Sequence, residues 1–262
     1  MKRFFIVFSL LCIAVASLVV YFAASTYIRK VTEAKNAVKV PVREEVTIRI
    51  IEGWTIYDIQ KELEGFGLDM QPSDFLAERF VEDFYFLKNL PPGATLEGYL
   101  FPDTYRVWKD ELPDGLFRKQ LAEFSEKTET FGTTTRDVVI LASIIEKEAR
   151  QDKDRPIVAG IFANRLSVGM ALQSDATLNY VIRSGRDRLN AEELKNDSPY
   201  NSYQHRELPP GPISNPGLAS LEAAFHPAKT DFWYFLTNKD GIALFAKNLE
   251  GHAANRRAVN IP

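Results

Sequence analysis

Hydrophobic positions are distributed very unevenly along this chain. Phe4 to Ile28 is a run of 25 residues without a charge, bounded by Lys2-Arg3 and Arg29-Lys30. About 20 apolar residues cross a bilayer as a helix, so residues 1–28 are expected to form a transmembrane anchor. Ala14-Val15-Ala16 offers a signal-peptide cleavage pattern, but the apolar run continues well past it, which favours an uncleaved span. Residues 29–45 are charged and aperiodic and read as a linker. Val46 to Ile51 alternates like a strand, Glu52-Gly53 turns, and Thr55 can cap a helix carrying Ile56, Ile59 and Leu63. Gly65 and Gly67 stop that helix, and a second is expected near Ser73 with Phe75, Leu76 and Phe80. Further on, residues 114–127 and 136–150 read as helices, the latter capped by Thr135. Residues 232–237 and 242–246 read as a scaffold hairpin turning through Asn238-Lys239-Asp240-Gly241. The succession is that of an α+β chain.

Composition narrows the possibilities. Of the 262 residues, 45% are hydrophobic and 26% charged, which excludes a disordered, collagenous or multispan chain. The net charge is −3 and only Lys2 and Arg3 charge the first 28 residues, so the remainder is more acidic still. Nothing here suggests nucleic-acid binding. A single cysteine, Cys12, excludes an intrachain disulfide and a cysteine-based zinc site, and the three histidines are too scattered for a zinc helix. No metal and no cofactor are expected.

Candidate chemistry begins in the helix from Arg136 to Arg150. Residues 138–145 are apolar apart from Ser143, as in a buried helix. Glu146 follows on the stripe of Val139, Ala142 and Ala149, where two alanines leave room beside its carboxyl group. A carboxyl against an apolar wall favours its acid form, as a general acid requires. The bland reading is a surface Glu146 paired with Arg150 at i+4. Glu148, on the same turn, is the competing carboxylate. Three other stretches resemble site-building loops: Leu172 to Thr177, Ser198 to Tyr203, and Leu208 to Gly217. The last has four prolines in ten residues and reads on its own as a stiff connector.

Together, LEGYLFPDTY (96–105), LASIIEKEA (141–149), LQSDATLNY (172–180), SPYNSY (198–203), LPPGPISNPGL (208–218) and AFHPAKTDFWYF (224–235) resemble one family, the YceG-like endolytic murein transglycosylases. The resemblance spans about residues 46–255. The βαα succession in 46–90 also resembles a LysM-like glycan-holding module, which leaves 91–262 as the catalytic domain. The chain departs from the family pattern at Ala243, where a His is frequent, and at Ala253, where an Asn usually follows the histidine.

The family resemblance implies an enzyme, a lyase that cuts peptidoglycan glycan strands between N-acetylmuramic acid and N-acetylglucosamine and leaves 1,6-anhydro ends. Carried onto this chain, its catalytic glutamate falls on Glu146, with Gln173, Asp175, Asn201 and Tyr203 orienting the sugars and Glu97 and Tyr99 on the opposite wall. It further implies a single-pass protein of the bacterial cytoplasmic membrane, its catalytic domain on the outer side, with peptidoglycan synthases as the expected companions. A hydrolytic muramidase, in which Asp175 activates water, and a non-catalytic peptidoglycan-binding membrane protein are the alternatives.

Overall fold

A computed structural model describes residues 2–37, 43–132, 135–184, 189–238 and 240–259. The chain divides into two units, residues 1–44 and 45–262.

The first unit holds α1 (Lys2–Ala37). Its segment Ile13–Glu33 is long and apolar enough to cross a membrane by length and composition. Leu18, Val20 and Phe22 on it are exposed, as expected of a helix without a protein core to join. The helix runs past the apolar segment to Ala37, so residues 29–37 of the expected linker are helical. Arg29 pairs with Glu33 one turn on, the i,i+4 arrangement that supports an exposed helix. Residues 38–42 of that linker lie outside the described residues.

The second unit opens with β1 (Glu45–Arg49), followed by α2 (Ile56–Glu64). Thr55 and Asp58 form a reciprocal capping box at the start of α2, and Ile56, Ile59 and Leu63 face inward. The second helix expected near Ser73 is instead a pair of 3-10 turns, Pro72–Phe75 and Ala77–Phe80. Their rings explain the difference. Phe75 and Phe80 both pack on Phe117, with centroids 5.1 and 6.2 Å away, so tertiary contact sets the local backbone. Moreover β1 pairs antiparallel with β2 (Thr104–Trp108), Glu45 opposite Trp108 and Arg49 opposite Thr104. The strand of the expected 46–90 module therefore finds its partner beyond residue 90, and the succession is not the expected self-contained βαα unit.

The core then builds from α3 (Asp114–Thr128), α4 (Arg136–Glu148), α5 (Arg155–Ser167), α6 (Asp175–Ile182) and α7 (Leu218–Phe225). Val138 N–H donates to the Thr135 hydroxyl at 3.4 Å, the cap expected for α4. Residues 139–145 of α4 are all buried, and α4 packs against α5, α6 and α7. The hairpin of β3 (Tyr234–Thr237) and β4 (Ala243–Ala246), with Tyr234 opposite Ala246, leads into α8 (Leu249–Ala258).

The proline-rich loop is more than a stiff connector. Ser214 and Asn215 are fully buried, and Ile213 N–H donates to Ser143 Oγ inside α4 at 3.0 Å. Asn215 uses all four of its side-chain positions. Its Oδ1 accepts from Gly98 N–H at 2.9 Å and Leu100 N–H at 3.0 Å, and its Nδ2 donates to Trp54 O and Glu97 Oε1, each at 3.0 Å. One side chain thus joins the 50s, the 90s and the 210s. Gly98 adopts a positive φ of 88°, and a Cβ there would strike Pro212 and Val139, so the loop closes directly on α4.

Asn215→Ala should therefore cost about 3 kcal/mol, because several buried partners lose their bonds together. Asn248→Ala, which removes only the exposed cap at the start of α8, should cost about 1 kcal/mol. Urea unfolding of both variants tests this. Equal losses would show that Asn215 is no hub.

Candidate functional site

A groove of about 1610 Å³ crosses the second unit. Its floor is the end of α4 with Lys147, Glu148 and Arg150. One wall is α2 with Thr55, Tyr57 and Asp58, and another is α6 with the 172–175 segment before it. The hairpin and α8 close the far side through Tyr234, Asn238, His252 and Arg256. The hairpin is therefore part of the site and not scaffold alone.

The two candidate carboxylates at the end of α4 have opposite surroundings. Residues two apart on a helix point about 200° from each other. Glu146 turns inward, its side chain only 6% exposed, on the stripe the sequence indicates. What it meets there is not an apolar wall. Arg155 Nη1 donates to its Oε2 at 2.9 Å and Nη2 to its Oε1 at 3.3 Å. Ser220 Oγ and Gly217 N–H add bonds to Oε2 at 2.8 and 3.0 Å. Both oxygens of this carboxyl group are thus occupied by donors inside the protein, away from the groove. Glu146 also tops the start of α7 and, through Arg155, the start of α5, where negative charge is favourable. The expected solvent-side pairing with Arg150 does not form. A Cβ on Gly217 would collide with the Glu52 carboxyl group, which closes this cluster from the other side. Burial and the nearby Glu146 raise the pKa of Glu52.

Glu148 is half-buried and faces the groove. Burial raises its pKa above the ordinary value, and the neighbouring Asp175 pushes the same way. The Ser174 hydroxyl, which donates to Oε1, and the Arg165 guanidinium pull it back. Arg165 is itself fixed by donating to the backbone oxygens of Trp233 and Leu172, and it lies over the Tyr234 ring at 5.4 Å. Of the two carboxyl groups, the one that faces the groove with a raised pKa is Glu148.

The other expected site residues separate into two groups. Gln173, Asp175 and Tyr203 line the groove. The Tyr203 hydroxyl donates to Asp175 Oδ1 at 2.6 Å. Gln173 adopts φ 54°, a left-handed conformation uncommon outside glycine, between the buried Leu172 and Ser174. Ser202 locks this segment to the 198–203 loop, its Oγ accepting from Ser174 N–H at 3.0 Å and lying 2.8 Å from Thr177 Oγ1.

Glu97, Tyr99 and Asn201 do not reach the groove. Asn201 is fully buried and staples its own loop, donating to Leu194 O at 3.0 Å and Asn196 O at 2.6 Å. Tyr99 is 3% exposed and packs on Phe86 and Phe124. Glu97 is 2% exposed, accepting from Ile56 N–H and Asn215 Nδ2, each at 3.0 Å. Burial pushes its pKa up to about 8, which favours its uncharged form. These three support the walls. Polar residues among apolar ones mark a site or a buried network alike, and spacing does not separate the two.

The family model described as YceG-like matches residues 21–258. The chain belongs to the YceG-like family. A crystal structure of a YceG-like protein from Listeria monocytogenes is similar over 88% of this chain and 80% of that one, with a TM-score of 0.68 and 30% identity. An endolytic murein transglycosylase of Bacillus subtilis is 39% identical over 165 residues, 60% of this chain and 46% of the relative. An endolytic murein transglycosylase of Streptococcus pneumoniae is 30% identical over 240 residues, 80% of this chain and 44% of the relative. The chain thus spans less than half the length of these two relatives.

Within this YceG-like chain, sequence reasoning passed over Arg155, Arg165, Ser174 and Ser220. Arg155 and Arg165 offered a signal, since two arginines in an otherwise apolar α5 must each find a buried acceptor. Their partners come from other segments and cannot be read from spacing.

Replacing Glu146 with Gln should cost about 3 kcal/mol of stability, since it leaves Arg155 buried beside a neutral amide. Denaturant unfolding reads this directly. A variant as stable as wild type would mean that the ion pair does not hold α4, α5 and α7.

Proposed function

We propose that this protein is a peptidoglycan lytic transglycosylase, held to the cytoplasmic membrane by α1, and that Glu148 is its single general acid and base. The observation that carries this reading is the position of Glu148, a carboxyl group with a raised pKa on the floor of a groove too large for one small molecule. The relatives' names supply the substrate class, and a long open groove suits a polymer cut away from its ends.

The chemistry needs little else. Glu148, protonated, gives its proton to the glycosidic oxygen as the bond from muramic C1 breaks, and N-acetylglucosamine leaves with a hydroxyl. The substrate's own 2-acetamido oxygen stabilises the electron-poor C1. Glu148, now a carboxylate, takes the proton from the muramic C6 hydroxyl as O6 bonds to C1. The acid is regenerated, no water is consumed, and a 1,6-anhydro end forms. The ring closure is intramolecular, which favours it over attack by water once the strand fills the groove. Gln173, Asp175 and Tyr203 orient the sugars. Thr55, Tyr57 and Asp58 give the 46–90 segment its part in gripping the strand, as a wall of this same groove. The domain stands on the outer side of the membrane, where the strands and the synthases that make them are found.

The hydrolytic alternative has one observation in its favour. Asp175 is close enough to raise the pKa of Glu148, and Tyr203 fixes its orientation, as a base acting on water requires.

Products and variants test both readings. Glu148→Gln should reduce cutting of glycan strands by about 10³-fold or more, since one group performs both proton transfers. Glu146→Gln should lose activity only in proportion to the protein that unfolds. Glu148 is active as the acid, and a raised pKa keeps that form to higher pH. The alkaline fall in rate should therefore come above the ordinary Glu range near ~4.3. Mass spectrometry should find anhydro ends, whereas free reducing ends would establish the muramidase. A dead but folded Glu146→Gln beside an active Glu148→Gln would overturn the assignment.

A further inference from the structure

One side of the groove carries an arginine with no ion pair among the described residues. Arg183 ends α6 in the left-handed region, with φ 49° and ψ 44°, a strained conformation for a side-chain-bearing residue. Its guanidinium lies flat on the Tyr57 ring, 3.3 Å from the centroid. Tyr57 is itself backed by Tyr180 and, behind that, Tyr200, with centroids 6.2 and 5.4 Å apart. Among the described residues the Arg183 side chain forms no ion pair and no hydrogen bond, its backbone N–H alone donating to Asn179 O at 2.8 Å. Stacking occupies the face of a guanidinium and leaves its N–H edges free, the geometry suited to a two-pronged grip on a carboxylate.

Lys147 lines the same groove. Its Nζ lies over Gly53, in the turn leading to α2, and it forms no ion pair among the described residues. The buried Glu97 lies in the field of Lys147, and burial, which raises its pKa to about 8, favours its uncharged form. Asp58 is the acidic residue of α2 that lines the groove, and its Oδ2 accepts from the Thr55 amide and hydroxyl, each at 2.8 Å. In a chain of net charge −3, two cations, Arg183 and Lys147, thus line the groove without an ion pair among the described residues. Neutral sugars do not call for this. The one acidic attachment on the glycan is the lactyl ether of muramic acid, which ends either in its own carboxylate or in a peptide bearing carboxylates.

We infer that Arg183, held on the Tyr57 shelf, and Lys147 form a carboxylate clamp for the muramic substituent, so that the groove selects strands by what hangs from them. This rests on the reading of the groove as a glycan site and adds a determinant of specificity away from Glu148. The clamp acts by binding, and no bond is made or broken in it.

The test measures binding without cutting, using the full chain in detergent with Glu148→Gln in the background. Three glycan fragments of equal length are titrated: one with its stem peptides, one with the peptide carboxylates esterified, and one stripped to the lactyl carboxylate. The peptide-bearing fragment should bind about tenfold tighter than the esterified one, as expected of an exposed charge-assisted contact. Salt should shrink that difference. Arg183→Ala should bring the ratio close to one, Arg183→Lys should restore part of it, and Tyr57→Leu should lower it by freeing the guanidinium. Should the stripped fragment bind as tightly as the peptide-bearing one, with Arg183→Ala weakening it selectively, the clamped carboxylate is the lactyl group. Equal binding of all three fragments, or equal weakening of all three by Arg183→Ala, overturns the clamp and leaves the glycan groove standing. Binding of none overturns the groove reading as well.

Discussion

Two carboxylates placed two residues apart at the end of a buried helix cannot share one environment, and the rest of the site follows from that. The turn of α4 sends Glu146 into the protein and Glu148 into the groove. The inward carboxylate draws in Arg155, Ser220 and the Gly217 amide, and so binds α5 and α7 to α4. With α4 held in rotation by that ion pair, Glu148 has only one direction left to point. The well-bonded residue fixes the frame, and the half-buried one has the raised pKa. Environment, not residue type, separates the two.

A second constraint sets the distance between the walls. The 208–217 loop passes through the interior, and interior backbone must find partners. Asn215 provides them for Gly98, Leu100 and Trp54 together, while Glu97 spans from Asn215 to the start of α2. The wall that carries Tyr57 is thus keyed to the loop beneath it by side chains that never touch the groove. The raised pKa of Glu97 fits this position, since a charge buried there would have no cation bonded to it.

What could be read from sequence follows the range of the forces involved. The caps at Thr55 and Thr135, the apolar helix Arg136–Glu148 and the hairpin are local or periodic, and the structure has them. The long apolar helix was equally plain, though its extension to Ala37 was not, because charged helical residues lack an apolar stripe. The failures are non-local. The 3-10 turns depend on Phe117, some forty residues away, and β1 depends on a strand beyond residue 100. Glu146 and Glu148 were both visible as candidates, and the apolar stripe placed Glu146 on the buried side correctly. The stripe could not reveal that Arg155 waited there. Gln173, Asp175 and Tyr203 face the groove while Asn201 does not, and that difference lies in loop conformation, which composition does not encode.

The proton of Glu148 is held in a balance that the substrate itself can shift. In the open groove, burial and Asp175 favour the acid, while Ser174 and Arg165 favour the carboxylate. On the proposed reading, a glycan strand lying over this floor would displace water, and desolvation would strengthen all four influences without adding a charge. Loss of water would fall most heavily on the charged form of Glu148, favouring the acid as the glycosidic oxygen arrives. Once the proton had gone, the new carboxylate would have the Ser174 hydroxyl and the Arg165 guanidinium close by. Those same two groups, which oppose protonation at the start, would then stabilise the base that must recover a proton from the C6 hydroxyl. Opposed influences around one carboxyl group would suit it to act in both directions, and a single strongly dominant one would stop such a cycle at its first or its second step.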